Sequence, residues 1–172
     1  MLGIERKLST GPSLLQKRFY QLSRQLHPDR FTRRSAAEQR HSLEASSRLN
    51  DAYRTLRDPV ERAEYVLAGE GFDIGEQRGK DVPPELLEEV FELNMALEEL
   101  RSGDESQREA LEEMRGRFEK MLGGIDAELA GHFKAWDDSS DRAVLERIRG
   151  VLNRRRYIRN LVRDVQRALQ TS

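Results

Sequence analysis

The sequence predicts an all-α fold in two parts, a helical hairpin with a short third helix and then a three-helix bundle. Three observations predict it. Apolar residues recur at spacings of 3 and 4 in almost every segment, and no run alternates apolar and polar residues long enough to make a sheet. Helix-starting residues stand in front of the periodic stretches: Pro12, Ser35 with Glu38 three residues on, and Asp58-Pro59. Between residues 68 and 83 the pattern breaks into a glycine-rich and then charged stretch that closes on Pro83-Pro84. At 172 residues the chain suits one domain or two small ones.

The first helix is expected from Pro12 to about Leu26, with Leu15, Phe19, Leu22 and Leu26 as its buried stripe. Lys17, Arg18, Gln21, Arg24 and Gln25 fall on the remaining faces. His27-Pro28-Asp29 ends it, because proline disfavours helical geometry in the residue before it. The second helix opens at the Ser35-x-x-Glu38 capping pattern and runs to about Leu56, with Ala45, Leu49, Ala52, Tyr53 and Leu56 on one face. The two make an antiparallel hairpin across a loop of roughly eight residues. A third helix, capped by Asp58 with Pro59 in its first turn, runs to about Leu67.

After the break come helical stretches at about 84–101, 105–136 and 141–170, separated by Gly103 and by Asp137-Asp138-Ser139-Ser140. The middle one contains Gly116, Gly123, Gly124 and Gly131, each costing about 1 kcal/mol against alanine, so it is expected to be bent or interrupted.

Composition sets limits on chemistry. With no cysteine, the chain forms no disulfide and ligates no metal or iron–sulfur cluster through thiolates. His27, His41 and His132 show no metal-ligand spacing, and no cofactor is expected. No acid–base pair, nucleophile arrangement or phosphate loop is evident, so no enzymatic activity is expected. No stretch approaches the roughly 18 apolar residues of a membrane helix. No apolar region follows the basic residues Arg6 and Lys7 as in a signal peptide, so the expected location is cytoplasmic.

The net charge of −1 is unevenly distributed. Residues 1–70 carry 13 basic and 9 acidic side chains, residues 76–129 carry 7 and 16, and residues 134–172 carry 10 and 5. A basic head, acidic middle and basic tail read as separate partner surfaces, or for the last two as helices that pair their charges.

His27-Pro28-Asp29 is the decisive motif. A given tripeptide arises by chance in roughly one chain of this size in a hundred, and a lone one would read as a helix-ending loop with a surface histidine. Here it sits between two amphipathic helices and is followed on the second by Leu49-Asn50-Asp51-Ala52-Tyr53-Arg54-Thr55-Leu56-Arg57-Asp58-Pro59. Together these residues resemble the J-domain, which stimulates ATP hydrolysis by DnaK-type chaperones. The resemblance implies chaperone contacts at His27, Pro28, Asp29, Arg18 and Arg24. Two packed helices and a proline present the imidazole and carboxylate at low entropic cost. Asp29 can accept charge-assisted bonds from a partner arginine, and Lys17, Arg18, Arg24, Arg30, Arg33 and Arg34 can steer an acidic surface.

The continuation Val60-Glu61-Arg62-Ala63-Glu64-Tyr65-Val66-Leu67 with Gly71-Phe72-Asp73 resembles the HscB-type co-chaperones of iron–sulfur cluster assembly. The resemblance implies a J-domain at residues 1–70, a linker at 71–83 and a scaffold-binding three-helix domain at 84–172. The implied partners are a DnaK-type (HscA-like) ATPase chaperone and an iron–sulfur scaffold protein (IscU-like). One departure stands out. Leu2-Gly3-Ile4 occupies the place where the family's aromatic-led first helix should end, so that helix is expected to be short or missing, exposing part of the hairpin's stripe.

In the acidic segment Leu86, Val90, Leu93, Leu97 and Leu100 make a bundle seam. Leu87, Phe91 and Met95 form a second apolar row flanked by Glu88, Glu92 and Glu99. That row is either additional core or an exposed strip that binds a partner. The family resemblance implies a scaffold-binding site at Leu87, Glu88, Phe91, Glu92, Met95 and Glu99, with Tyr157 beside it. Met95 replaces an expected acidic residue and Glu88 an apolar one. The run Arg154-Arg155-Arg156-Tyr157-Ile158-Arg159 could mark nucleic-acid binding, but a pI of 6.4 and the acidic helix favour internal pairing, so no nucleic acid is expected. A J-protein for another client, or a helical adaptor or nucleic-acid-binding protein, are the alternatives.

Overall fold

The structure, a computed structural model, describes residues 2, 7–72 and 82–170. Among them there is no strand, and none of their helices is long and apolar enough to cross a membrane. The chain divides into two compact units, Met1–Phe72 with Phe133–Ser140, and Asp73–His132 with Asp141–Ser172. Most of the expected linker, residues 73–81, lies outside the described residues.

The first unit holds α1 (Pro12–Leu26), a 3₁₀ turn (Pro28–Phe31), α2 (Ala36–Arg57) and α3 (Pro59–Gly69). No helix precedes Pro12 among the described residues. The starts follow the capping chemistry. Ser35 Oγ accepts from the Glu38 N–H at 3.3 Å while the Glu38 carboxylate accepts from the Ser35 N–H at 2.9 Å. Those bonds to Ser35 hold the Glu38 carboxyl below its ordinary range. The Asp58 carboxylate accepts from the N–H groups of Val60 and Glu61, at 2.8 and 3.1 Å, so α2 ends and α3 begins on one residue.

Leu15 and Leu49 form the buried centre, surrounded by Phe19, Leu22, Leu26, Ala52, Tyr53 and Leu56. Phe19 stacks on Tyr53, with ring centroids 4.2 Å apart and planes 21° from parallel. Leu2 is buried in the same cluster, so its side chain covers part of the stripe.

The C-terminal end of the long helix α5 (Gln107–Ser139), from Phe133 on, belongs to this unit, contributing buried Phe133 and Trp136. The Asp137 carboxylate accepts from the N–H groups of Leu8 and Ser9, at 2.7 and 2.8 Å, and from the Ser9 hydroxyl. Burial lowers the tendency of the nearby Arg62 guanidinium to hold its proton, and the charges of Asp137 and Asp58 oppose that effect. Leu8 is fully buried, so Asp137→Ala strands its N–H. The expected cost is about 1.5–3 kcal/mol of stability. Urea unfolding followed by the fluorescence of Trp136, the only tryptophan, measures it, and an unchanged midpoint would count against the anchor.

The second unit holds a 3₁₀ turn (Pro84–Leu86), α4 (Leu87–Arg101), the α5 residues up to His132, and α6 (Arg142–Gln170). Leu86, Leu93, Ala96, Leu111, Phe118, Ile148 and Ile158 are among its buried residues. The turn after α4 passes through Gly103 at φ 100°, a conformation that glycine adopts without steric penalty. Of the bend or interruption expected in the middle segment, the interruption is corrected: α5 is one continuous helix, Gln107–Ser139. Leu111, Met114, Phe118, Ile125 and Leu129 bury a stripe on one side of it, and that burial outweighs the propensity cost of four glycines. Beyond the helix's own backbone, a methyl group at any of Gly116, Gly123, Gly124 or Gly131 would meet no described atom within 4 Å. Gly124→Ala should therefore raise the unfolding free energy by about 0.5–1 kcal/mol, read as a higher melting temperature, and a lower one would refute the reading.

Candidate functional site

Two sets of expected residues can be located, one in each unit. In the first, α1 ends at Leu26, whose carbonyl accepts from the hydroxyls of Ser42 and Ser46 on α2, at 2.7 and 2.9 Å. The helix end is thus pinned immediately before the motif. His27 is extended, φ −58° and ψ 129°, as the following proline demands. Its Nδ1 accepts from the Asp29 N–H at 3.3 Å and its carbonyl from the Arg30 N–H at 3.0 Å. Thr32 Oγ1 donates to the Asp29 carbonyl at 3.1 Å, and Arg30 reaches back to the Arg24 carbonyl at 3.3 Å.

These bonds fix the backbone of the turn while its functional groups stay outside. The Asp29 side chain is 85% exposed, 3.4 Å from His27 Nδ1. Arg18 and Arg24 are both exposed on α1, but they are six positions apart and so lie on different rows of the helix. Beside the turn is a groove of about 530 Å³ whose lining includes Ser23, His27, Pro28, Leu43 and Asn50. Leu43 is 62% exposed there. Sequence reading passed over it because one leucine off a helix stripe gives no signal.

In the second unit the choice between core and exposed strip is decided by the geometry. Leu86 and Leu93 are buried and Val90, Leu97 and Leu100 half-buried, as a seam requires. The second row faces out: Leu87 is 56% exposed, Phe91 66% and Met95 49%. They stand four residues apart, so they form one continuous apolar strip along α4. Glu88 and Glu99 are exposed beside it. Glu92 also accepts from Arg117 on α5 at 3.1 Å, and its side chain stays partly exposed. Tyr157 is half-buried on α6, which packs against α4, and burial together with the Asp164 charge raises its hydroxyl above the ordinary tyrosine value.

The arginine run on α6 is substantially internal. Arg154 pairs with Glu128 and, at 3.6 Å, with Glu85, while Arg155 pairs with Asp126 at 2.7 Å. Among the described residues no group of three or more His, Asp or Glu is arranged to hold a metal ion.

A helical hairpin that presents a pinned His-Pro-Asp turn defines a J-domain protein, whose partner is an Hsp70-type chaperone. The DnaJ-domain family model matches residues 1–65, and the model of the HSCB C-terminal oligomerisation domain matches residues 82–166. The HscB co-chaperone homolog of Vibrio atlanticus is 34% identical over 83% of this chain and 84% of its own length. That of an Azoarcus species is 31% identical over 99% and 92%. Among solved structures, Vibrio cholerae HscB aligns with a TM-score of 0.64 at 25% identity, covering 96% of this chain and 93% of that one. Human HscB aligns with a TM-score of 0.70 at 27% identity, covering 96% and 78%. The chain belongs to the HscB co-chaperone family.

Proposed function

We propose that this chain stimulates ATP hydrolysis by a DnaK-type, HscA-like chaperone and delivers to it an IscU-like iron–sulfur scaffold protein. The observation that carries the reading is the pinned turn with an exposed Asp29 carboxylate, a ready acceptor for a partner arginine. The exposed strip Leu87-Phe91-Met95 supports the second half, because a contiguous apolar strip with an acidic margin fits a partner with an apolar, partly basic surface. In this reading residues 1–70 act as the J-domain and residues 84–172 as the scaffold-binding domain. His27, Pro28, Asp29, Arg18 and Arg24 engage the chaperone. Leu87, Phe91, Met95, Glu88, Glu92, Glu99 and Tyr157 hold the scaffold.

The chemistry of ATP hydrolysis and the cluster itself belong to the partners. This chain brings them together, so that hydrolysis closes the chaperone on the scaffold while it is held nearby. Single-turnover ATP hydrolysis by the DnaK-type chaperone of the same organism tests the reading, with and without the scaffold. Stimulation by the chain that is greater than additive when the scaffold is present supports it. Stimulation indifferent to the scaffold would leave a J-protein for another client, and no stimulation would remove the chaperone role.

A further inference from the structure

We propose that Tyr20 determines specificity in chaperone docking, as the aromatic member of a cationic stripe on α1 that receives an acidic, apolar-edged surface of the Hsp70-type chaperone. This rests on the function proposed above and adds a residue to the same site. Lys17, Tyr20, Arg24 and His27 are spaced 3, 4 and 3 apart, so one row of the helix runs from the exposed ring straight to the His-Pro-Asp turn. Arg18 lies off this row, two positions from Tyr20.

The ring is 56% exposed, although an amphipathic helix facing only water would gain nothing from a tyrosine there. It is also held in place. Tyr20 leans on Phe19, centroids 5.7 Å apart and planes 56° from parallel, and Phe19 is stacked on Tyr53. A ring braced by a half-buried neighbour loses little freedom when it is covered, which is how aromatic anchors come to dominate an interface. Charge identifies what covers it. The whole of α1 contains no acidic residue, and the groove along it, whose lining also includes Leu2, Leu22 and two glutamines, carries charge only from Lys17, Arg18 and Arg24 beside Tyr20. An acidic partner surface is complementary to that lining, and the continuity of the row with the Asp29 turn selects the chaperone over other acidic partners.

The test is the chaperone concentration giving half-maximal single-turnover ATPase stimulation, measured with the full chain at low and high salt. Tyr20→Ala and Tyr20→Gln should raise it by roughly tenfold. Tyr20→Phe should stay near wild type, because the ring and not the hydroxyl makes the contact. Arg24→Ala should weaken the salt dependence, whereas Tyr20→Ala should leave its slope intact. Tyr65→Ala removes a somewhat more exposed ring on α3 and should change nothing. Tyr20→Ala and Tyr20→Gln both acting like wild type, while Asp29→Asn is silent, would overturn the Tyr20 assignment alone. Full stimulation by Asp29→Asn would overturn the functional reading, and the assignment with it. A rise shared by Tyr20→Ala and Tyr65→Ala would also refute it, as a nonspecific effect of losing a surface ring.

Discussion

Asp29→Asn is expected to abolish the chain's stimulation of its chaperone's ATPase at working concentrations while leaving its own fold intact. The substitution keeps the shape of the side chain and removes its charge. A charge-assisted bond is worth about 1.5–3 kcal/mol, so the half-maximal concentration should rise by roughly 10- to 150-fold. The fold should not notice, since the turn is held by backbone and histidine bonds: His27 Nδ1 with the Asp29 N–H, the His27 carbonyl with the Arg30 N–H, and the Leu26 carbonyl with Ser42 and Ser46. The carboxylate itself lies 85% exposed. Stopped-flow or quenched ATP hydrolysis reads the first effect and thermal unfolding the second. An Asp29→Asn protein with wild-type stimulation would mean that the His-Pro-Asp turn is incidental.

Phe91→Ala should weaken binding to the iron–sulfur scaffold by roughly 30-fold, the consequence of losing about 2 kcal/mol at an aromatic anchor. Phe91 is the most exposed member of the α4 strip, so truncating it removes surface that only a partner covers. Leu93→Ala, two residues on, should behave in the opposite way. Leu93 is buried against the bundle, and its truncation should cost about 2–5 kcal/mol of stability. Calorimetric titration with the scaffold, paired with urea unfolding of both variants, separates the two faces of the helix. Equal scaffold affinity for Phe91→Ala and wild type would take the client face away from this strip.

Much of this was legible in the residues themselves. Helix starts were readable wherever a cap is a local matter: Pro12, the Ser35–Glu38 pair and Asp58 act within four residues of themselves, and the structure begins its helices there. The apolar stripe of Leu15, Phe19, Leu22 and Leu26, buried at Leu15 and partly buried at the others, and the seam through Leu86 and Leu93 were equally readable, because periodicity marks the apolar rows of a helix. The continuity of α5 was not. Propensity argued for a break at four glycines, and the long buried stripe overrode it. Nor did the sequence disclose Leu43 beside the turn, the braced ring of Tyr20, or Glu92 drawn to Arg117.

By itself, then, the sequence determined the helix inventory, the His-Pro-Asp motif between two amphipathic helices, and the absence of thiolate chemistry, all properties of residue type and near-neighbour spacing. Only the tertiary structure decided that Leu87, Phe91 and Met95 are surface and not core. It also decided that Leu2 fills the hairpin, and that Asp137 anchors the backbone of Leu8 and Ser9 from well over a hundred residues away. The physical reason is that a helix's apolar rows look alike along the chain, and which one is buried depends on the partner that packs against it.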